Sequence, residues 1–100
     1  MTIRFEWDPA KAASNLRKHG VSFPLAARVF ADPLRATALD RIVDGEMRWR
    51  TIGLVEGVLL LVVAHTMREE ENGAEIIRII SARRAEPAER RRYEEETGAL

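Results

Sequence analysis

Arg48, Arg50, His65 and Arg83 fall on strand-like stretches of this sequence, and Lys18-His19 closes a helix-like one. Cations beside a histidine on an open surface suit one reaction in particular, the metal-free cleavage of RNA. A base helps the ribose 2′-hydroxyl attack the adjacent phosphorus, cations stabilise the charge building on the phosphoryl oxygens, and an acid protonates the departing 5′-oxygen. Such acid–base help contributes about 10²–10⁴-fold, and one well-placed charge donor about 3 kcal/mol. Each residue also has a plainer reading. Lys18 and His19 are cations meeting a helix dipole, His65 is a satisfied strand-end histidine, and Arg83 and Arg84 are placed to pair with Glu86 or Glu89.

Other chemistries lack their residues. The chain has no cysteine, which removes disulfides, zinc–cysteine sites and thiol catalysis. Only His19 and His65 offer ligand nitrogens, and no carboxylate cluster shares their spacing, so neither a metal nor a cofactor is expected. No glycine-rich loop precedes a helix, and no nucleophile elbow supports a serine triad.

The elements that must position these residues follow from periodicity and punctuation. Ile3 to Trp7 alternates as a short strand, and Asp8-Pro9 starts a helix that Gly20 stops. Ser22 caps a second helix carrying Leu25, Ala26, Val29 and Phe30, which Asp32-Pro33 ends. Trp7, Phe23, Phe30 and Trp49 read as core. Arg35 to Ile42 is an edge strand before an Asp44-Gly45 turn, and Met47 to Val55 and Val58 to Thr66 form a hairpin about Glu56-Gly57. Glu75 to Arg83 is a further strand, and a helix with Pro87 in its first turn and Gly98 past its end closes the chain. The order β-α-α-β-β-β-β-α predicts an α+β fold with an antiparallel sheet of about four to five strands. Helices cover one sheet face, and the other is where a site could lie.

Two registers are open for the central hairpin. A two-residue Glu56-Gly57 turn sets Arg48 directly across from His65 on one face, and this register is preferred. A three-residue loop shifts the pairing by one and sends His65 to the opposite face. Glutamate is an awkward first residue of a type I′ turn.

The 100 residues, 46% hydrophobic and 32% charged, describe a single domain spanning 1–100 with one core. The apolar run Val58 to Ala64 is too short to cross a bilayer, and no signal sequence opens the chain. A cytoplasmic protein without a membrane partner is expected. Sixteen basic residues balance sixteen acidic ones, which weighs against a nonspecific polyanion binder. Arginine supplies all the basic residues but Lys11 and Lys18, and its planar fork suits bidentate phosphate contacts.

Several blocks resemble the BrnT toxins: Phe5-Glu6-Trp7-Asp8, Lys18-His19-Gly20-Val21-Ser22-Phe23, Phe30-Ala31-Asp32-Pro33, Arg48-Trp49-Arg50-Thr51-Ile52-Gly53 and Arg78-Ile79-Ile80-Ser81-Ala82-Arg83. Lys11, Asn15, Glu89-Arg90 and Tyr93 extend the likeness, whereas Pro24 and the acidic Glu69-Glu70-Glu71 loop depart from it. The resemblance implies a RelE-like microbial ribonuclease fold and the toxin half of a type II toxin–antitoxin pair. It implies RNA as substrate, arrest of translation, and neutralisation by a BrnA-like ribbon-helix-helix antitoxin through which alone operator DNA is bound. Carried over by position, it makes Lys18, His19, Arg48, Arg78, Arg83, Glu89 and Tyr93 active residues, beside His65 from the hairpin argument, with Arg50 and Arg84 binding substrate. A non-catalytic protein-binding module is the rival reading. A DNA-binding regulator acting alone is a third, which the neutral charge disfavours.

Overall fold

Asp8 and Gly20 bracket the first helix as their chemistry predicts. In the computed structural model, which describes residues 2–99, the Asp8 carboxylate accepts the Ala10 N–H at 2.8 Å. Pro9 fills the first turn, and Gly20, at φ 69°, returns its N–H to the Leu16 carbonyl. The described elements are β1 (Ile3–Glu6), α1 (Pro9–His19), α2 (Phe23–Ala27), a 3₁₀ turn (Arg28–Ala31), β2 (Ala36–Val43), β3 (Glu46–Val55), β4 (Leu59–Glu69), β5 (Glu75–Arg84) and α3 (Pro87–Thr97).

The strands form one five-stranded sheet in the order β1-β5-β4-β3-β2. The α+β expectation is met, with one correction. The sheet is mixed, because β1 lies parallel to β5 with Ile3 beside Glu75 and Glu6 beside Arg78. The second helix is also shorter than expected: α2 tightens into the 3₁₀ turn. That turn seats Val29 over Gly53 of β3, where an added Cβ would stand 2.7 Å from Val29 Cγ1 and 3.0 Å from the Val29 carbonyl oxygen. Only a glycine admits so close an approach.

Val21, Phe23, Ala26 and Val29 pack onto Val55, Leu61, Val63, Ile77, Ile79 and Ala82, making the core on one sheet face. Phe5 and Trp7 close it through ring contacts with Phe30 and Phe23, with centroids 5.4 and 5.9 Å apart. The parallel pairing of β1 ends at Arg78, so the backbone of β5 beyond it needs other partners. Buried Asn15 of α1 supplies them at Ala82, donating to its carbonyl at 2.8 Å and accepting its N–H at 3.1 Å. A side-chain amide thus takes the place of a missing strand residue.

The central hairpin adopts the three-residue loop, which corrects the preferred register. Trp49 pairs with His65 and Val55 with Leu59, around Glu56, Gly57 and Val58. Glu56 and Gly57 take the positive φ values of 54° and 71° despite the side chain at Glu56, and Val58 is the extra residue, 75% exposed. The apolar pattern decides the choice. In this register Thr51, Gly53 and Val55 share the core face with Val63, Leu61 and Leu59, whereas the alternative would set Arg50 beside fully buried Val63.

The Gly53→Ala substitution is expected to overpack the Val29 contact and lower stability by about 1–3 kcal/mol. Urea unfolding monitored by tryptophan fluorescence measures this, and an unchanged midpoint would refute the close-approach account.

Candidate active site

Strand alternation sorts the sheet's side chains between its two faces. On the face away from the core, Arg48 and Arg50 of β3 look out beside Ala64 and Thr66 of β4 and Arg78, Ser81 and Arg83 of β5. The rows follow from the register: Arg50 pairs with Ala64 and Ala64 with Ser81, while Thr66 pairs with Arg78 and Val62 with Arg83. Continuing the β3–β4 register by one residue sets Arg48 opposite Thr66. Arg48 and Arg78 then stand two strands apart, about 10 Å at the backbone, above a floor of the small side chains Ala64, Thr66 and Ser81.

Arg41 joins this row, since it pairs with Arg48 across the Asp44-Gly45 hairpin. Sequence reading missed it, although a two-residue turn there already places the two arginines opposite each other. A bulge at Asp40 then restores the alternation toward Ala38.

Carboxylates rim the arginine face. Arg78 Nη2 donates to Glu46 Oε1 at 2.6 Å, and Arg83 grips Glu89 of α3 with two bonds of 2.7 and 3.0 Å. The bidentate Arg83 contact holds the Glu89 carboxyl below its usual range against the opposing effect of burial, and the Glu86 N–H and nearby Arg50 add to it. Arg83 still has two of its five N–H donors uncommitted, since three bond Glu89 and the Arg84 carbonyl. Among the described residues, Arg48 and Arg50 form no ion pair. The Nε atoms of Arg48 and Arg78 are buried without a hydrogen-bond partner.

The remaining candidates lie elsewhere. His65 is 0% exposed on the core face, so the expected Arg48–His65 pair does not form. Its ring stands edge-on to Phe30, with centroids 4.9 Å apart. Nδ1 faces the Thr66 carbonyl at 3.2 Å, an acceptor only, so Nδ1 carries the proton and Nε2 accepts from Thr51 Oγ1 at 2.7 Å. Thr37 completes the chain through a 2.7 Å contact with Thr51. Burial pulls the His65 pKa below its ordinary 6.5, opposed by the Thr66 carbonyl, and keeps the ring neutral.

Lys18 and His19 are exposed in the last turn of α1. Arg84 pairs with Leu61 and alternates to the side opposite Arg83, which removes it from the expected substrate face. Tyr93, the buried anchor of α3 at 3% exposure, donates its hydroxyl to Asp32 Oδ2 at 2.6 Å. Burial and this bond push its pKa up to about 12, so it stays protonated near neutrality with its proton shared with Asp32.

Asp32 itself read only as a helix stop in the sequence. It is 8% exposed and also accepts the Leu54 N–H at 2.7 Å and the Leu34 N–H at 2.8 Å. Burial raises its pKa, but these bonds outweigh it and hold the carboxyl below the usual value of 3.8. No group of three or more His, Cys, Asp or Glu side chains is clustered as metal ligands among the described residues.

The structure is a small α+β protein, a mixed five-stranded sheet with α1 and α2 over one face and, against the expectation of helices on one face only, α3 across part of the arginine-lined second face. A family model described as "Ribonuclease toxin, BrnT, of type II toxin-antitoxin system" matches residues 7–89, and the chain belongs to that family. The match takes in Arg41, Arg48, Arg50, Arg78 and Arg83 of the outer face and stops before Tyr93. Among solved structures, the crystal structure of the Brucella abortus ribonuclease toxin BrnT is similar in fold, with a TM-score of 0.58 and 20% identity over 86% of this chain and 99% of that one. No curated protein matches the sequence.

Two outcomes follow for the buried polar groups. Asp32→Ala is expected to cost about 3–5 kcal/mol because it strands three donors, and Tyr93→Phe about 1 kcal/mol. Denaturant unfolding checks this, and equal costs for the two variants would contradict the shared-acceptor account. The depressed His65 pKa gives stability that is complete above pH 6.5 and declines as pH falls toward the folded-state value. His65→Leu should therefore change less than the parent between pH 7.5 and about 5.5, and parallel losses would show that His65 is not the group responsible.

Proposed function

We propose that this chain is a metal-independent endoribonuclease toxin whose open sheet face grips one phosphodiester between β3 and β5. The observation that carries this reading is the convergence of Arg48, Arg50, Arg78 and Arg83 on one outer sheet face, with Arg48 and Arg50 in no ion pair among the described residues. Arg48, Arg50, Arg78 and the uncommitted donors of Arg83 then oppose the charge that develops as the ribose 2′-hydroxyl attacks phosphorus. Bidentate arginine contacts suit the geometry of such oxygens.

Of the two carboxylates that border this cluster, Glu46 and Glu89, it is Glu89 that takes the 2′-hydroxyl proton. Because Arg83 keeps it ionised, it is a weak base, and electrostatic stabilisation supplies most of the rate. His65 is buried on the core face, and in this reading the departing 5′-oxygen takes its proton from solvent. Membership of a type II toxin–antitoxin family supports an antitoxin partner and an RNA target. In this reading the partner is a BrnA-like ribbon-helix-helix protein, operator DNA is reached only through it, and RNA cleavage in the cytoplasm stops translation. No helix among the described residues is long and apolar enough to cross a membrane.

Purified protein should cleave a fluorogenic RNA oligonucleotide in excess EDTA. Arg48→Ala should lower kcat/KM by about 10²–10³-fold without changing the thermal melt, because Arg48 holds no ion pair. Cleavage that disappears with EDTA, or an Arg48→Ala enzyme at parental rate, would overturn the proposal. With Glu89 ionised well below neutrality, kcat/KM should show no acid limb between pH 5.5 and about 8 in which the base is lost. An acid limb in that window would remove Glu89 from the base role.

A further inference from the structure

We infer that the groove between α3 and the β2–β3 edge is a guanine-binding subsite for the nucleotide beside the scissile phosphate, an inference that rests on the ribonuclease reading above. The groove encloses about 560 Å³, within the range of about 300–1,000 Å³ that holds small molecules. It exists because β2 carries alanine at positions 36 and 38, where strands ordinarily favour branched or aromatic side chains. Ala36 pairs with Ile52 and Ile52 with Val62, and these three residues with Ala38 make an apolar floor. α3 forms the opposite wall.

The groove continues the arginine face. Arg50 lines it and also stands in the row of Ala38 and Ala64, one row from the Ile52 floor and about 7 Å along the strand. A strand of RNA whose phosphate lies among the arginines can therefore lay its adjoining base on this floor without leaving the protein.

The polar groups at the groove's rim select among bases. Arg50 makes no hydrogen bond among the described residues, and its fork matches the O6 and N7 acceptors of guanine. Glu96 uses Oε1 to hold Arg92 Nε at 3.0 Å, in an exposed pair of little worth. Its Oε2 accepts no hydrogen bond among the described residues and can take the N1–H and N2–H donors of guanine. Adenine and cytosine present amino donors toward an arginine that can only donate. Uracil has only the N3–H donor, and its O2 and O4 acceptors flank that donor instead of standing side by side as O6 and N7 do in guanine. Guanine alone satisfies both rims of the groove.

Two measurements test this. The first maps cleavage of oligonucleotides carrying each of the four bases beside the cut, using the parent, Glu96→Gln and Ala38→Leu, each checked for folding by its thermal melt. The parent is expected to favour guanine over adenine and cytosine by at least about tenfold, and Glu96→Gln should lose about tenfold of that preference. Ala38→Leu, which fills the floor, should abolish it. The second titrates the four nucleoside 5′-monophosphates into the same proteins by calorimetry, where selective guanosine monophosphate binding should weaken in both variants. Equal cleavage beside all bases, or equal binding of the four mononucleotides, would overturn the subsite. Selective guanosine monophosphate binding by a protein that cuts no RNA would uphold the subsite while removing the ribonuclease reading. If Ala38→Leu keeps the base preference but escapes neutralisation by its antitoxin, the groove belongs to the protein partner and the guanine assignment falls.

Discussion

The Asp32 carboxylate receives hydrogen bonds from three separate parts of the chain: the loop after the 3₁₀ turn, the backbone of β3 and the phenol of α3. Those donors hold it ionised inside the fold, where burial alone would favour the neutral acid. The arrangement matters because α3 has little else to hold it. Apart from Tyr93 its side chains are half-buried or exposed, and most are charged, so apolar burial cannot fix where the helix sits. The Tyr93 contact pins its middle, and the Arg83–Glu89 fork pins its first turn. The border between the covered and open halves of the outer sheet face is set by these two contacts.

Charge is sorted within this electrically balanced chain. Arginines of β4 and β5 are tied to carboxylates, as in Arg68–Glu6, Arg78–Glu46 and Arg83–Glu89. Arg48 and Arg50 on β3 carry no such tie among the described residues. A phosphate arriving there meets cations already spaced by the strands, which cost no conformational search to assemble. Overall neutrality therefore says little about local field, because the balancing carboxylates sit at the rim and the acidic loop Glu69 to Glu71 lies beyond the far end of β4.

Much of the fold was legible because it is written in local punctuation. Asp8, Ser22 and Pro87 start helices, Gly20 and Gly98 stop them, and Asp44-Gly45 turns a hairpin with both residues at positive φ. Alternation alone placed Arg48 and Arg50 on one face. What could not be read depended on distant partners. β1 takes a parallel neighbour some seventy residues away, with nothing nearby in sequence to announce it. His65 turned on a single extra loop residue, Val58, and the decisive constraint was the need to face Val63 and Leu61 toward the core. Asp32 and Tyr93 looked like a helix stop and a candidate catalyst because their contact spans 61 positions of chain.

Asn15 gives the sheet a vulnerability as well as an end. By bonding both backbone groups of Ala82, it closes a strand margin that would otherwise offer its hydrogen bonds to any extended peptide. The amide thus keeps the molecule from recruiting another copy of itself. A chain lacking it would present an adhesive border on β5, and self-association would begin there, on the side of the sheet farthest from β2.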